Sequence, residues 1–380
     1  MKFEVNRDVL SEAVSFAVKL LPARSATPFV TGVLIETAEN ELVLSSFDYE
    51  VSTQTKIAAA ISQPGKILVS GRLLAEIASR LPNAPVVFET EDSKINVSCG
   101  QAKFTLLAMP LEGYPSIPHL DGQTGVVPAE DFSHAVAQVA MAASRDTVMP
   151  VISGVLFEVS GNTLSLVATD RYRVAIRDLP WDSNGEHNEL SVLVPARTVQ
   201  EIGKTFGSTG NISISVMSVD DKETISFTAD NKTVTSLLIK GTFPPVRRLF
   251  PEVVENYIVV QTSDLVDATR RVKLVVDRDI PIRYTFDSAG ITLEAMGGDK
   301  AQASEVVDAI LTGTGTVVSL KPDLLLDGLT AVQSEFTRIG FTNGDNPGKP
   351  GPVLISPQTS QEGTPDNAFR YLLQPNLLLR

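Results

Sequence analysis

The sequence predicts an α+β fold made of three tandem copies of one unit, each with two helices on antiparallel sheets. Three observations carry this. Residues 28–51 (PFVTGVLIETAENELVLSSFDYEV) align without a gap on 150–173 at an offset of 122, so that Pro28 falls on Pro150, Gly32 on Gly154, Leu34 on Leu156, Leu44 on Leu166 and Asp48 on Asp170. A fainter copy follows Pro281, where IRYTFDSAGITLEA places Ile291 and Leu293 at the positions of Leu164 and Leu166. A second strand-into-helix pattern starts at Ile67, Val192 and Val317, spaced by 125 residues each time. Repetition at a fixed period is the signature of a duplicated structural unit.

Each copied stretch reads as a hairpin. Val155, Phe157 and Val159 alternate, Gly161-Asn162 supplies the turn, and Leu164, Leu166 and Ala168 return on one face. Ahead of every hairpin lies a helix. Apolar Val9, Leu10, Ala13, Val14, Ala17 and Val18 follow Asp8 at helical spacing until Pro22, and matching runs follow Asp131 and Asp264. Each aspartate is placed to cap its helix. The second helices are expected over 70–81, 196–204 and 321–332. Residues 343–367, rich in Gly, Pro, Ser and Gln, read as a flexible loop between the last strands. The resulting domains are 1–121, 122–252 and 253–380.

A chain of 380 residues with 43% hydrophobic content suits several ordinary cores. The single cysteine, Cys99, lies in an alternating strand pattern with Ile95 and Val97 and reads as a small core residue. The three histidines (His119, His134, His187) share no ligand spacing, so neither a metal nor a cofactor is expected. Neither a phosphate loop, a nucleophile elbow nor a zinc-protease motif is present, and no enzyme is expected. The duplicated Asp48 and Asp170 read as strand-ending turn residues, because a catalytic carboxylate is usually singular. The N-terminus lacks an apolar signal region and no run is long enough to span a membrane, which predicts a cytoplasmic protein.

The net charge of −13 argues against gripping nucleic acid over the whole surface, but the charge is unevenly spread. The six helical windows (7–24, 70–81, 129–145, 196–204, 263–278, 321–332) hold 13 basic against 11 acidic residues, which leaves a net of −15 to strands and loops. An arginine also recurs just after the first helix of every copy, at Arg24, Arg145 and Arg278. Lys19, Arg72, Arg80, Arg197, Lys204, Arg270, Arg271 and Lys273 lie on or beside the helices. Solvated charges on ordinary amphipathic helices explain this as well as a polyanion-facing surface does.

Several motifs occur in an order that resembles one family. They are Val167-Ala-Thr-Asp170 followed by Arg173, Phe243-Pro244 with Arg247-Arg248-Leu249-Phe250-Pro251, and the ending Tyr371-Leu-Leu-Gln-Pro375. Together with three tandem domains and the opening Met1-Lys2-Phe3, they resemble the bacterial DNA polymerase III beta subunit, the sliding clamp. The resemblance spans essentially the whole chain and implies the DNA-clamp fold, with a head-to-tail homodimer closing a ring, helices inside and sheets outside. It implies a non-catalytic processivity factor that encircles double-stranded DNA without sequence specificity. Its partners would be a clamp loader, the replicative polymerase and other proteins carrying short clamp-binding motifs.

Residue by residue, the resemblance assigns a partner-peptide pocket to Ile152, Thr169, Arg171, Tyr172, Arg173, Val174, Pro244, Arg248, Leu249, Leu373, Gln374 and Pro375. DNA contact falls to Arg24, with Arg145 and Arg278 added by the internal repeat and Arg72, Arg197 and Lys204 as further helix cations. The dimer interface falls to Phe104 and Leu106 on one edge and Leu274 on the other. The chain departs from the family where Arg171-Tyr172 replaces a common Gly-His pair, where Gln374 replaces a common Met, and in its Asn376–Arg380 tail. These departures leave room for a variant clamp or interaction scaffold with altered partners.

Overall fold

A computed structural model describes every residue except 23–26, 115–124, 147, 184–188, 209, 220–221, 278–279, 297–300, 343–349 and 377–380. The described residues include six α-helices: α1 (Arg7–Val18), α2 (Gly71–Ala78), α3 (Ala129–Val139), α4 (Ala196–Phe206), α5 (Thr262–Val272) and α6 (Pro322–Val332). The aspartates expected as caps are not the caps. Asn6 caps α1, its side chain accepting from the backbone N–H groups of Asp8 and Val9, and Asp8, Asp131 and Asp264 sit inside the first turns. A carboxylate there faces the positive end of the helix dipole, which rewards the same residue type without a cap geometry.

The chain gathers into two compact units, one of residues 1–133, 181–188 and 197–238, the other of 134–180, 189–196 and 239–380. The central repeat therefore contributes strands to both. The first unit holds a five-stranded sheet in the order Ala60–Gln63, Lys2–Val5, Val86–Glu91, Lys94–Cys99, Ala102–Leu107. Its nine-stranded sheet runs from Asp182–Ser183 through Gly125–Pro128, Asn211–Val219, Lys222–Ala229 and Lys232–Leu237. It continues through Val51–Ala58, Glu41–Phe47 and Gly32–Ala38 to Lys66–Ser70. All these pairings are antiparallel. The core of this unit lies under α1, where Leu10, Val14 and Ala17 meet Val33, Ile35 and Leu44 of the hairpin, while Phe3 stacks on Phe88 at 4.8 Å. Cys99 is buried there at 1% exposure, as the strand pattern predicts.

The second unit repeats the plan. Its nine-stranded sheet is ordered Glu189–Pro195, Gly154–Ser160, Thr163–Thr169, Arg173–Pro180, Phe369–Leu373, Val353–Gln358, Phe336–Phe341, Asn256–Gln261, Ala309–Thr312. A four-stranded sheet joins Gln302–Val307, Gly290–Met296, Ile282–Asp287 and Thr316–Leu320. The expected hairpin around Gly161 is present, with Gly161 at φ +57, and so is its fainter copy across Ile282–Met296. The loop expected over 343–367 is instead interrupted by a central strand. Val353–Gln358 pairs with Phe336–Phe341 on one side and Phe369–Leu373 on the other, and Val353 and Ile355 are fully buried. Pro357 lacks an N–H to donate, lies one pair from the end of this ladder, and accepts the Asp366 N–H through its carbonyl at 2.9 Å.

One glycine is required by close approach. A Cβ on Gly328, in α6, would stand 2.6 Å from the Tyr371 ring. Both residues are in the core, Tyr371 at 0% exposure. Gly328→Ala is expected to cost about 1–3 kcal/mol through overpacking, read as a lower denaturation midpoint at unchanged slope.

Candidate partner pocket and cationic helix surfaces

The site starts from a duplicated turn. In the second unit Asp170 Oδ1 accepts the backbone N–H groups of Tyr172 and Arg173, at 3.1 Å each. In the first, Asp48 Oδ1 accepts those of Glu50 and Val51, at 3.0 and 2.7 Å. The residue after each aspartate is left-handed, Arg171 at φ 78 and Tyr49 at φ 75. An L-residue in that region costs roughly 1–2 kcal/mol, so the side-chain hydrogen bonds hold the turn against its own preference. This is the turn role expected for both carboxylates.

Past the turn the two copies diverge. The Arg173–Pro180 strand pairs Val174 with Leu372, and Val174, Val167, Ile176, Leu372 and Val246 form one buried apolar cluster. Leu156, Phe243, Phe250 and Leu354 pack against it. At the matching places of the first unit stand Ser45, Ser52 and, opposite Ser52, Thr235. Only one of the two repeated turns therefore has an apolar floor beside it.

Beside that cluster runs the 3₁₀ turn Val246–Leu249, launched by Pro244-Pro245. Arg247 fastens it to the neighbouring strand through two hydrogen bonds to Glu158 Oε2, at 2.9 and 2.7 Å. Val246 is buried, while Arg248 and Leu249 stay exposed, Leu249 at 50%. Tyr172 is exposed at 53% and carries the Lys321 ammonium 5.3 Å from its ring centre. Gln374 is exposed, and its backbone N–H donates to Tyr172 O at 2.9 Å, continuing the strand ladder toward Pro375. Apolar floor, exposed aliphatic and aromatic rims, and free cations at Arg171 and Arg248 suit a short peptide with apolar anchors.

Four expected pocket residues are placed differently. Leu373 is fully buried and pairs with Arg173, so side-chain alternation puts it on the face opposite Val174, and the apolar cluster takes its neighbour Leu372. Ile152 is buried at 1% and lies in the 3₁₀ turn Pro150–Ile152 that precedes the hairpin. Arg173 does not wait for a ligand. Its Nε donates to Asp170 Oδ2 at 2.9 Å, one terminal nitrogen to Asp327 Oδ2 at 2.6 Å and the other to Met141 O at 2.8 Å. Tyr371 Oη lies 3.4 Å from it and donates onward to Leu324 O at 2.7 Å. Burial pushes the Tyr371 phenol well above its ordinary range, so it remains a neutral donor. Thr169 is buried as well, its hydroxyl donating to Arg173 O at 2.7 Å and accepting from the Arg171 N–H. Phe243, Phe250 and Leu372 lie within the quoted motifs but are not among the expected pocket residues, and neither are Leu354 and Val246; all five belong to or pack against this apolar cluster.

A cleft of ≈ 810 Å³ opens on the helix-facing side of the same turn, lined by Arg145, Asp146, Asp170, Arg171, Tyr172, Lys273, Asp323 and Asp327 among others. Of the expected DNA-contacting residues, Arg145, Arg72 on α2 and Arg197 on α4 are exposed. Arg24 and Arg278 lie outside the described residues. Lys204 is exposed but bonded to Glu201 at 2.9 Å, and Glu201 also draws Lys19 to 3.8 Å. Arg271 pairs with Glu305, Arg270 with Asp267 and Lys273 with Asp323. On the sheet edge Ala102–Leu107, Phe104 is 38% exposed, whereas Leu106 faces Ile95 inside the core at 8%. Leu106 is thus a core residue, and the outermost leucine of that strand is Leu107, at 71%. Leu274 is 84% exposed. No group of His, Cys, Asp or Glu among the described residues could hold a metal ion, and no described helix is long and apolar enough to cross a membrane.

Three segments match the DNA polymerase III beta subunit in sequence: residues 1–118 its N-terminal domain, 126–245 its central domain and 247–365 its C-terminal domain. The chain belongs to that family, the bacterial sliding clamps. It is 40% identical over 376 residues to the beta sliding clamp of Streptomyces coelicolor, covering 99% of both chains. It is 35% identical over 375 residues to the beta sliding clamp homolog GriR of Streptomyces muensis, again covering 99% of both. The sliding clamp of Pseudomonas aeruginosa bound to griselimycin shares the fold, with a TM-score of 0.90, 23% identity and complete coverage of both chains.

Removing the Arg173 guanidinium leaves Asp170 and Asp327 without their shared cation. Arg173→Ala is expected to lose roughly 3 kcal/mol of stability, the lower part of the range for broken buried pairs because Asp327 regains water. Chemical denaturation followed by circular dichroism reads this directly.

Proposed function

We propose that the chain is a non-catalytic processivity clamp. Two copies close head to tail into a ring around duplex DNA, slide without reading sequence, and tether the replicative polymerase and other motif-bearing proteins. The full-length run of three clamp domains in one chain supports this reading most directly. A heterologous interface that closes gives a ring, and a ring holds DNA by topology rather than by affinity. Weak phosphate contacts then suffice, and they carry no sequence information. The domains run over 1–121, 122–252 and 253–380, and the protein works in the cytoplasm with a clamp loader.

The peptide-binding surface on this reading is the floor of Val174, Leu372 and Val246 with the rim of Arg171, Tyr172, Pro244, Arg248, Leu249, Gln374 and Pro375. Thr169 and Arg173 hold it from below. Arg24, Arg145, Arg278, Arg72, Arg197 and Lys204 face the phosphates. Phe104 and Leu274 meet across the dimer, with Leu106 packed behind Phe104.

Two measurements test this. A fluorescent Gln-Leu-x-Leu-Phe peptide should bind saturably by anisotropy, and Leu249→Ala should weaken it about fivefold or more, as for a rim anchor worth over ~1 kcal/mol. Its exposure keeps folding within about 0.5 kcal/mol of the parent. Saturable binding that Leu249→Ala leaves unchanged would move the pocket elsewhere. Separately, protein loaded onto a nicked circular plasmid should be lost when the circle is cut. Persistence on the linear product with free ends would overturn the ring.

A further inference from the structure

The turn that carries Arg171 and Tyr172 is held from behind by a residue that no motif singles out. Asp327 lies on α6, and its Oδ2 accepts from the Arg173 guanidinium at 2.6 Å. That guanidinium in turn fixes Asp170 Oδ2, while Asp170 Oδ1 holds the backbone N–H groups of Tyr172 and Arg173. The chain of bonds thus runs from a helix through a buried cation and a carboxylate to the backbone of the pocket rim. At its end Arg171 is kept at φ 78, a conformation it would otherwise leave.

We propose that Asp327 is a positioning residue for the partner pocket: by completing the coordination of Arg173 it orients Asp170 and so keeps Arg171 and Tyr172 in their binding-competent turn. Asp327 does not touch the pocket floor. It lies on the wall of the ≈ 810 Å³ cleft with a side chain 48% exposed, so it can be changed without opening a cavity. Asp323 provides an internal control, because it lies on the same helix and the same cleft wall but is paired with Lys273 instead.

This inference rests on the pocket reading, and its test separates the two. Amide hydrogen exchange at Arg171, Tyr172 and Arg173 is measured without peptide, and affinity for the Gln-Leu-x-Leu-Phe peptide is measured in parallel. Asp327→Asn should speed exchange at these amides and weaken the peptide by about fivefold, whereas Asp327→Glu restores most of both and Asp323→Asn changes neither. Repeating Asp327→Asn in an Arg171→Gly background supplies the decisive comparison. Glycine adopts the left-handed turn without strain, so the peptide penalty of Asp327→Asn should shrink to less than about twofold there. An equal penalty in both backgrounds, or unchanged exchange in Asp327→Asn, would overturn the positioning role. Failure of the parent protein to bind the peptide would instead overturn the pocket reading, leaving the exchange result to decide the role of Asp327 in the turn.

Discussion

A buried guanidinium must be paired, and the pairing of Arg173 organises much of the second unit. At 9% exposure its charge would be untenable alone. Two carboxylates, a phenol and a main-chain carbonyl share it, and they come from a turn, a helix, a strand and the 3₁₀ extension after α3. Because the backbone of Arg173 also belongs to the Asp170 turn, the charge constraint and the turn constraint are one. The sheet register follows: with Arg173 opposite Leu373, Val174 must lie opposite Leu372 on the other face, and that face is the apolar floor.

The same plan in the first unit shows what is general and what is particular. Both copies keep the aspartate and the left-handed residue after it, so the turn belongs to the fold. They differ in the residues beside it. Val51 stands where Arg173 does, and hydroxyls stand where Val167, Val174 and Leu372 do. On the opposite face of the same strands, the Ser46 and Thr53 hydroxyls donate to Ala17 O at the end of α1 and serve internal structure. On the proposed reading, a duplicated scaffold with a single apolar cluster turns one surface among equivalents into a binding site without any change of architecture.

Much of this was legible locally. The helices and hairpins follow from periods of 3.6 and 2, and the repeat multiplies each signal. What escaped was either non-local or ambiguous in phase. Tyr371-Leu372-Leu373 is apolar on both faces, so alternation could not say which leucine reaches the floor until its pairing with a strand nearly two hundred residues earlier was known. The strand Val353–Gln358 was hidden because Ser356, Pro357 and Gln358 are residue types of loops, yet Ser356 and Gln358 are buried and Gln358 is bonded by Arg338 at 2.8 Å. Arg173 could be recognised as a motif residue, but its partner Asp327 lies 154 positions away and no local pattern announces it. The capping aspartates failed for a subtler reason. A helix dipole rewards acids anywhere in the first turn, so composition located the helix start but could not choose the cap.

The charge pattern on the helices also changes meaning once partners are visible. Lys204, Arg270, Arg271 and Lys273 are not idle cations awaiting phosphate, since each already faces a carboxylate. Such exposed pairs contribute little to stability, so exchanging a carboxylate for a phosphate oxygen costs little and returns little. A clamp on the proposed reading benefits from that near-balance. Strong unpaired cations would pin the ring to particular phosphates, while an acidic lining would repel the duplex. Cations such as these four, buffered by their own carboxylates in a chain whose net charge is −13, keep electrostatic attraction weak and leave retention to the closed ring.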